Sequence, residues 1–258
     1  MKNWDCSCPL VSILTPAYNS SKYILDTIRS AKEQTYSNWE MLIVDDASSD
    51  DTYALAASVV DSRIKITQSD KNLGAAGARN LALNQASGRF IAYLDADDIW
   101  MPDKLEKQVR FMLDGGIGFS CVSYEIIDGA GNPLGKKVYT KEKLDYRGCL
   151  LNNRISTLSV MVDLQIVEKP LLQMPLGLKI GEDLVTWLQI LKKGHFCYGM
   201  PQILAKYRRA TGSTSSNKIK AAKSAWHIYK NVEQLPFYFA CYCFIKYALW
   251  AVWKRMYW

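Results

Sequence analysis

The chain has 258 residues, with 32 basic and 25 acidic side chains and a formal net charge of +7. Its length suits one or two domains with a sizeable core, and 49% apolar with 12% aromatic residues exclude a disordered tail, a collagen and a coiled coil. Within residues 217–258 only Glu233 opposes seven Lys and Arg, and 235–258 hold 10 aromatics, which excludes a uniformly basic nucleic-acid binder and points to a negatively charged surface met at one end.

Met1–Pro9 is polar and lacks the apolar stretch of a secretory signal. The seven cysteines are odd in number and scattered, so free thiols in a reducing compartment are expected. Cys6 and Cys8 lack a second ligand pair at zinc spacing.

Short apolar runs at Leu10–Leu14, Met41–Val44, Ile64–Thr67 and Phe90–Leu94, each bounded by turn residues, predict buried strands. Helix-period segments near Ser21–Gln34, Asp51–Val60 and Ala75–Gln85 lie between them. This alternation predicts an α/β fold whose sheet is mixed but mainly parallel, with right-handed crossovers. Ligands then bind beyond the carboxyl ends of the strands. Further along, Pro102–Leu113 reads as a helix stopped by Gly115-Gly116. Gly118–Ile127 and Leu134–Tyr139 flank a turn-rich hairpin signal. Leu184, Trp187, Leu188 and Leu191 form a helical stripe ended by Gly194. The expected organisation is a nucleotide-binding half over 1–110, an acceptor-facing half over 111–216 and a basic aromatic helical tail over 217–258.

Polar clusters follow three of the strands: Thr15-Pro16-Ala17-Tyr18-Asn19, Asp45-Asp46-Ala47-Ser48 and Asp95-Ala96-Asp97-Asp98. Proline fixes φ in the first loop, and Tyr18 could stack on a base. Carboxylates at i and i+2 after a strand, here Asp95 and Asp97, suit a hard divalent cation that keeps water and substrate phosphates in its shell. Arg79 could face a diphosphate with its guanidinium fork. An isolated DxD is a weak signal; the order and strand context of all three clusters are not.

PLVSILTPAYN, WEMLIVDDASSDDT, NLGAAGARNLAL and GRFIAYLDADDIWMPDKLEKQ resemble family 2 of the inverting glycosyltransferases, which have the GT-A fold. The resemblance is strong over residues 9–110 and looser to 216, through IGEDLVTW and the Tyr-Arg-Arg segment. It implies transfer of a sugar from a nucleotide donor, usually a UDP-sugar, with Mn2+ or Mg2+. By the same resemblance Tyr18 and Asp46 contact the base, with Pro16, Ala17 and Asn19 in the same nucleotide-binding loop. Arg79 contacts uracil or diphosphate, Asp95 faces the ribose or sugar, and Asp97 binds the metal, with Ala96 between them. The family's general base is an acidic residue opening a helix in the second half, which matches Gly181-Glu182-Asp183. Both carboxylates are candidates and Asp183 is favoured. Many relatives carry a histidine after the late Tyr-Arg; Tyr207-Arg208-Arg209-Ala210 has none, so Arg208, Arg209 and Ser213–Ser216 are the expected diphosphate contacts. The only histidines, His195 and His227, read as structural.

Leu235–Trp258 is long enough as a helix to cross a bilayer, but Lys246, Lys254 and Arg255 argue for a helix lying in the interface. An aromatic helix packed on the core is the alternative. The combination resembles bacterial enzymes of O-antigen and other surface-polysaccharide assembly. It implies a cytoplasmic enzyme, peripheral on the inner membrane, with an undecaprenyl-diphosphate-linked acceptor and no nucleic-acid partner. Two rival readings are a sugar-phosphate nucleotidyltransferase, for which TPAYNSSKY supplies no Gly-rich phosphate cradle, and a non-catalytic carbohydrate-binding module, which has no need of a spare base.

Overall fold

A computed structural model describes residues 8–178, 180–209 and 218–257. The strands β1 (Val11–Ala17), β2 (Trp39–Asp45), β3 (Ile64–Gln68) and β4 (Phe90–Tyr93) alternate with the helices α1 (Ile24–Lys32), α2 (Thr52–Ala57) and α3 (Gly74–Gln85). Every residue of β2 and β4 is buried, as the continuous apolar runs require of strands covered on both faces. Successive side chains feed opposite cores: Ile13, Met41 and Ile43 enter one, Leu14, Leu42 and Val44 the other.

Next come β5 (Ile99–Trp100), α4 (Lys104–Gly115), β6 (Phe119–Ile127), β7 (Pro133–Val138), β8 (Lys143–Leu144) and α5 (Tyr146–Leu151). They lead to β9 (Val160–Asp163), α6 (Glu182–Lys192) and β10 (Cys197–Arg208). The sheet runs β3-β2-β1-β4-β9-β6-β10-β5, with β7 on β6 and β8 on β10.

The expected parallel sheet is found in β3-β2-β1-β4 and in β6 with β10. β9 inserts antiparallel between β4 and β6, and β5, β7 and β8 also pair antiparallel, which makes the sheet mixed, as expected. The hairpin signal is realised as β6–β7.

The tail begins with α7 (Lys218–His227), passes through a π-helical turn at Ile228–Val232 and continues as α8 (Phe237–Tyr257) after Pro236. One face of α8 packs on the body, where Ala240 and Cys243 are fully buried. Another exposes Tyr238, Tyr242, Ile245 and Leu249. Among the described residues no helix is long and apolar enough to cross a membrane. Among the described residues six cysteines are free, and the buried Cys197 Sγ donates a hydrogen bond to Cys121 Sγ at 3.5 Å. Cys6 lies outside the described residues.

Candidate active site

The carboxyl ends of β1, β2 and β4 open on one continuous cleft of about 1490 Å³. That exceeds the usual volume of a site for one small ligand. Pro16, Ala17, Tyr18, Asp46, Arg79, Asp95, Ala96, Asp97, Glu182 and Asp183 all line it. Pro16 and Ala17 belong to β1 itself, and Tyr18 stands half exposed at the rim.

Asn19 is not among the lining residues. It has left-handed backbone, φ 48°, as does Ala47, φ 57°, directly after Asp46. Its Oδ1 accepts from Ser49 N at 2.9 Å, and its own N donates to Ser48 Oγ at 2.9 Å. Asn19 therefore clamps the first two loops together behind the cleft. Asp46 is buried and its carboxylate accepts from Leu73 N at 2.7 Å and Gly74 N at 2.9 Å. Gly74 has φ +75°, a conformation glycine adopts without strain, which lets its N–H turn to Asp46 as α3 begins.

The Asp95–Asp98 turn is fastened from behind. Thr27 Oγ1 donates to the carbonyls of Ala96 at 3.0 Å and Asp98 at 2.8 Å. Arg208 donates from its backbone N to Asp98 Oδ1 and from Nε to the Asp97 carbonyl, both at 2.8 Å. Arg208 is thus a buried buttress, and Arg209 is the arginine of that segment that lines the cleft. Burial, then the negative charge of Asp95, push the Asp97 carboxyl up to about 6. Burial and both neighbours hold Asp98 well above the usual carboxylate range.

Among the described residues no three His, Cys, Asp or Glu side chains converge on a point. Asp95 and Asp97 nevertheless fit a hard cation that takes one or two carboxylates and fills its shell with phosphate and water. A cation beside Asp97 would also relieve the like-charge repulsion that raises it.

Across the cleft, Gly181 caps α6 with φ +90°, and a Cβ there would come within 2.6 Å of Ile228 in the tail. Trp187, fully buried against Tyr93 and Phe119, fixes the helix on the sheet. Arg79 connects the two sides. Nη2 donates to Asp95 Oδ1 at 2.6 Å and Nη1 to Glu182 Oε1 at 3.4 Å. Burial opposes its charge, but Asp95 and Glu182 outweigh burial and keep Arg79 a cation. Burial, then the charge of Asp183, raise Glu182, with Arg79 acting against them. Asp183 accepts from Leu184 N at 2.7 Å and from Thr157 Oγ1 at 3.1 Å.

Thr157 had no signal in the sequence, since its short 3-10 turn has no hydrophobic period. Tyr124 and Lys136 also line the cleft, from β6 and β7, without a signal in the sequence, and Tyr207 of the late Tyr-Arg segment lines it from β10 with its ring 6.1 Å from that of Tyr124. His195 and His227 do not line it, and Ser213–Ser216 lie outside the described residues.

Residues 12–162 match the family described as Glycosyl transferase family 2. TuaG of Bacillus subtilis (strain 168), named for teichuronic acid biosynthesis, is 45% identical over 258 residues, covering 99% of this chain and 100% of its own length. WfgD of Escherichia coli, a UDP-Glc:alpha-D-GlcNAc-diphosphoundecaprenol beta-1,3-glucosyltransferase, is 41% identical over 88% of each chain. Among solved structures, Staphylococcus aureus TarS 1–349 with UDP-GlcNAc superposes with a TM-score of 0.70 at 19% identity, over 86% of this chain and 67% of that one. The mannosyltransferase PcManGT of Pyrobaculum calidifontis, in complex with GDP-Man and Mn2+, gives 0.67 at 19% identity, over 94% and 71%. These two share the GT-A fold with the chain.

Proposed function

The chain belongs to glycosyltransferase family 2, and on that premise we propose that it moves a hexose or N-acetylhexosamine from a UDP-sugar to a hydroxyl of a lipid-diphosphate-linked glycan, with inversion. The observation that carries this reading is the single cleft with Asp95 and Asp97 on one wall and Glu182 and Asp183 on the other. Tyr18 flanks the nucleoside, and Asp46 holds the Leu73-Gly74 turn that walls its pocket. A divalent cation, Mn2+ or Mg2+, held at Asp97 with Asp95 beside it, would neutralise charge on the departing diphosphate.

Asp183 accepts the proton of the acceptor hydroxyl as that oxygen attacks the anomeric carbon from the face opposite the leaving group. The Thr157 hydrogen bond orients it. Glu182 is committed to Arg79, which leaves Asp183 the better base of the two.

We further place the enzyme peripherally on a membrane surface. The exposed face of α8 carries Tyr238, Tyr242, Ile245 and Leu249 beside Lys246, and Lys220 and Lys223 are exposed on α7. Aromatic residues favour that depth, lysines snorkel from it, and each basic residue close to an anionic surface contributes about 1 kcal/mol.

The test is a panel of nucleotide sugars with Mn2+ and a bacterial lipid extract, read by nucleotide release and by the anomeric configuration of the product. A UDP-sugar should be consumed with inversion, and Asp97→Ala should weaken metal-dependent nucleotide-sugar binding. No turnover with any donor, together with unchanged binding in Asp97→Ala, overturns the assignment.

A further inference from the structure

The cleft does not end at Asp183. It continues into a chamber walled by Leu150 of α5, Leu178, Ala221 and Ala225 of α7, and Phe244 and Tyr247 of α8. Among the described residues, α5, α7 and α8 contribute no charged side chain to this lining. One continuous space thus runs from a carboxylate-lined wall to an apolar chamber, with Lys136 and Arg209 also on its walls.

Such a space matches a ligand with a polar head, an anionic link and an aliphatic chain. We propose that the chamber binds the hydrocarbon chain of a lipid-diphosphate-linked acceptor, holding its sugar at Asp183. This rests on the transfer reading above. The tail is therefore one wall of the acceptor site. Helix geometry supports the route: positions 244, 247 and 248 line the chamber, 248 being itself exposed, and 245 and 249 follow one residue on, about 100° round the helix, and are exposed too. A chain can pass from the exposed apolar face of α8 around the helix into the chamber.

The experiment is calorimetry on the full chain with N-acetylglucosamine diphosphate esters carrying a methyl or a decyl group, without donor. Burying two or more methylenes gives about tenfold in affinity, so the decyl ester should bind at least about tenfold tighter than the methyl ester. Ala221→Trp, which fills the chamber, should reduce that ratio to less than about twofold while UDP binding at the far end of the cleft is retained. If Ala221→Trp unfolds, Ala222→Leu on the same wall carries the comparison. A decyl ester that does not bind, a ratio near one in the wild type, or a ratio unchanged in a folded variant overturns the proposal. Equal binding of decyl phosphocholine overturns the acceptor assignment, because the chamber would then take any lipid chain. Donor turnover with the methyl ester but no gain with chain length defeats this proposal alone. A chain-length gain without turnover of any donor defeats the transfer reading alone.

Discussion

Thr157 donates a hydrogen bond from Oγ1 to Oδ2 of Asp183 across 3.1 Å, joining a 3-10 turn beside the sheet to the first turn of α6. The bond selects one rotamer of the carboxylate and, in the proposed reaction, leaves lone pairs for the acceptor hydroxyl. Thr157→Val keeps the shape and removes the donor. A hydrogen bond to a charged group contributes about 1.5–3 kcal/mol, so kcat should fall about tenfold or more. The donor KM should stay near wild type, and Thr157→Ser should restore the rate. Steady-state kinetics with the consumed UDP-sugar check this.

Arg79 is the buried cation between Asp95 and Glu182. Arg79→Met leaves those carboxylates uncompensated, and breaking a buried pair costs about 3–5 kcal/mol. The melting temperature should drop sharply at pH 7, and less at pH 4, toward which Glu182, raised by burial, takes up a proton and loses its charge. Arg79→Lys cannot span both partners with one planar fork and should recover only part of the loss. Thermal denaturation at both pH values gives the comparison.

The adjacent carboxylates Asp97 and Asp98 should reveal different roles on amide substitution. Asp98 is fully buried and raised well above the usual range, so it favours folding when protonated and loses that contribution as pH rises. Asp98→Asn keeps an acceptor for Arg208 N and removes the charge. It should melt about 2–4 °C above wild type at pH 8, with the gap narrowing toward pH 4. Asp97→Asn should instead weaken Mn2+ binding in the presence of UDP, measured by calorimetry.

Asp50 supplies a pH dependence of the other sign. Burial would raise it, but hydrogen bonds from Thr52 and Ser21 outweigh burial and hold it at about 2. A carboxyl depressed in the folded state stabilises fully above its ordinary range and loses that contribution as pH falls. Asp50→Asn should lower the melting temperature at pH 7 and flatten its fall between pH 4 and 2. A melting series across that interval measures it.

Serine at Tyr242, Ile245 and Leu249 should leave the melting temperature near wild type, because these side chains are exposed. Binding to vesicles containing anionic lipid should fall severalfold, as read by co-sedimentation.

The first four strands and three helices were legible because a parallel strand covered on both faces is a continuous apolar run between turn residues. The polar clusters followed, since the ends of such strands converge on one rim. Less was legible beyond Trp100. β5 and β8 have two residues each, too few for a period, and the antiparallel insertion of β9 joins segments about 70 residues apart. Arg208 illustrates the limit: charge and position suggested a phosphate contact, yet the buried Asp95–Asp98 turn claims its guanidinium and backbone. Thr157 gave no local signal because its role exists only where two distant segments meet.

The tail is stitched to the body at several points. Ser224 Oγ donates to the Ile180 carbonyl at 2.5 Å, Tyr229 to the Leu150 carbonyl at 3.1 Å, and Tyr146 to Glu233 at 2.5 Å, while Ile228 sits against Gly181. Composition changes at 216/217, yet these contacts tie the segment after that point to the body before it. A chimera made to redirect such an enzyme to a new acceptor would have to exchange α5 and the start of α6 together with the tail, as one cassette.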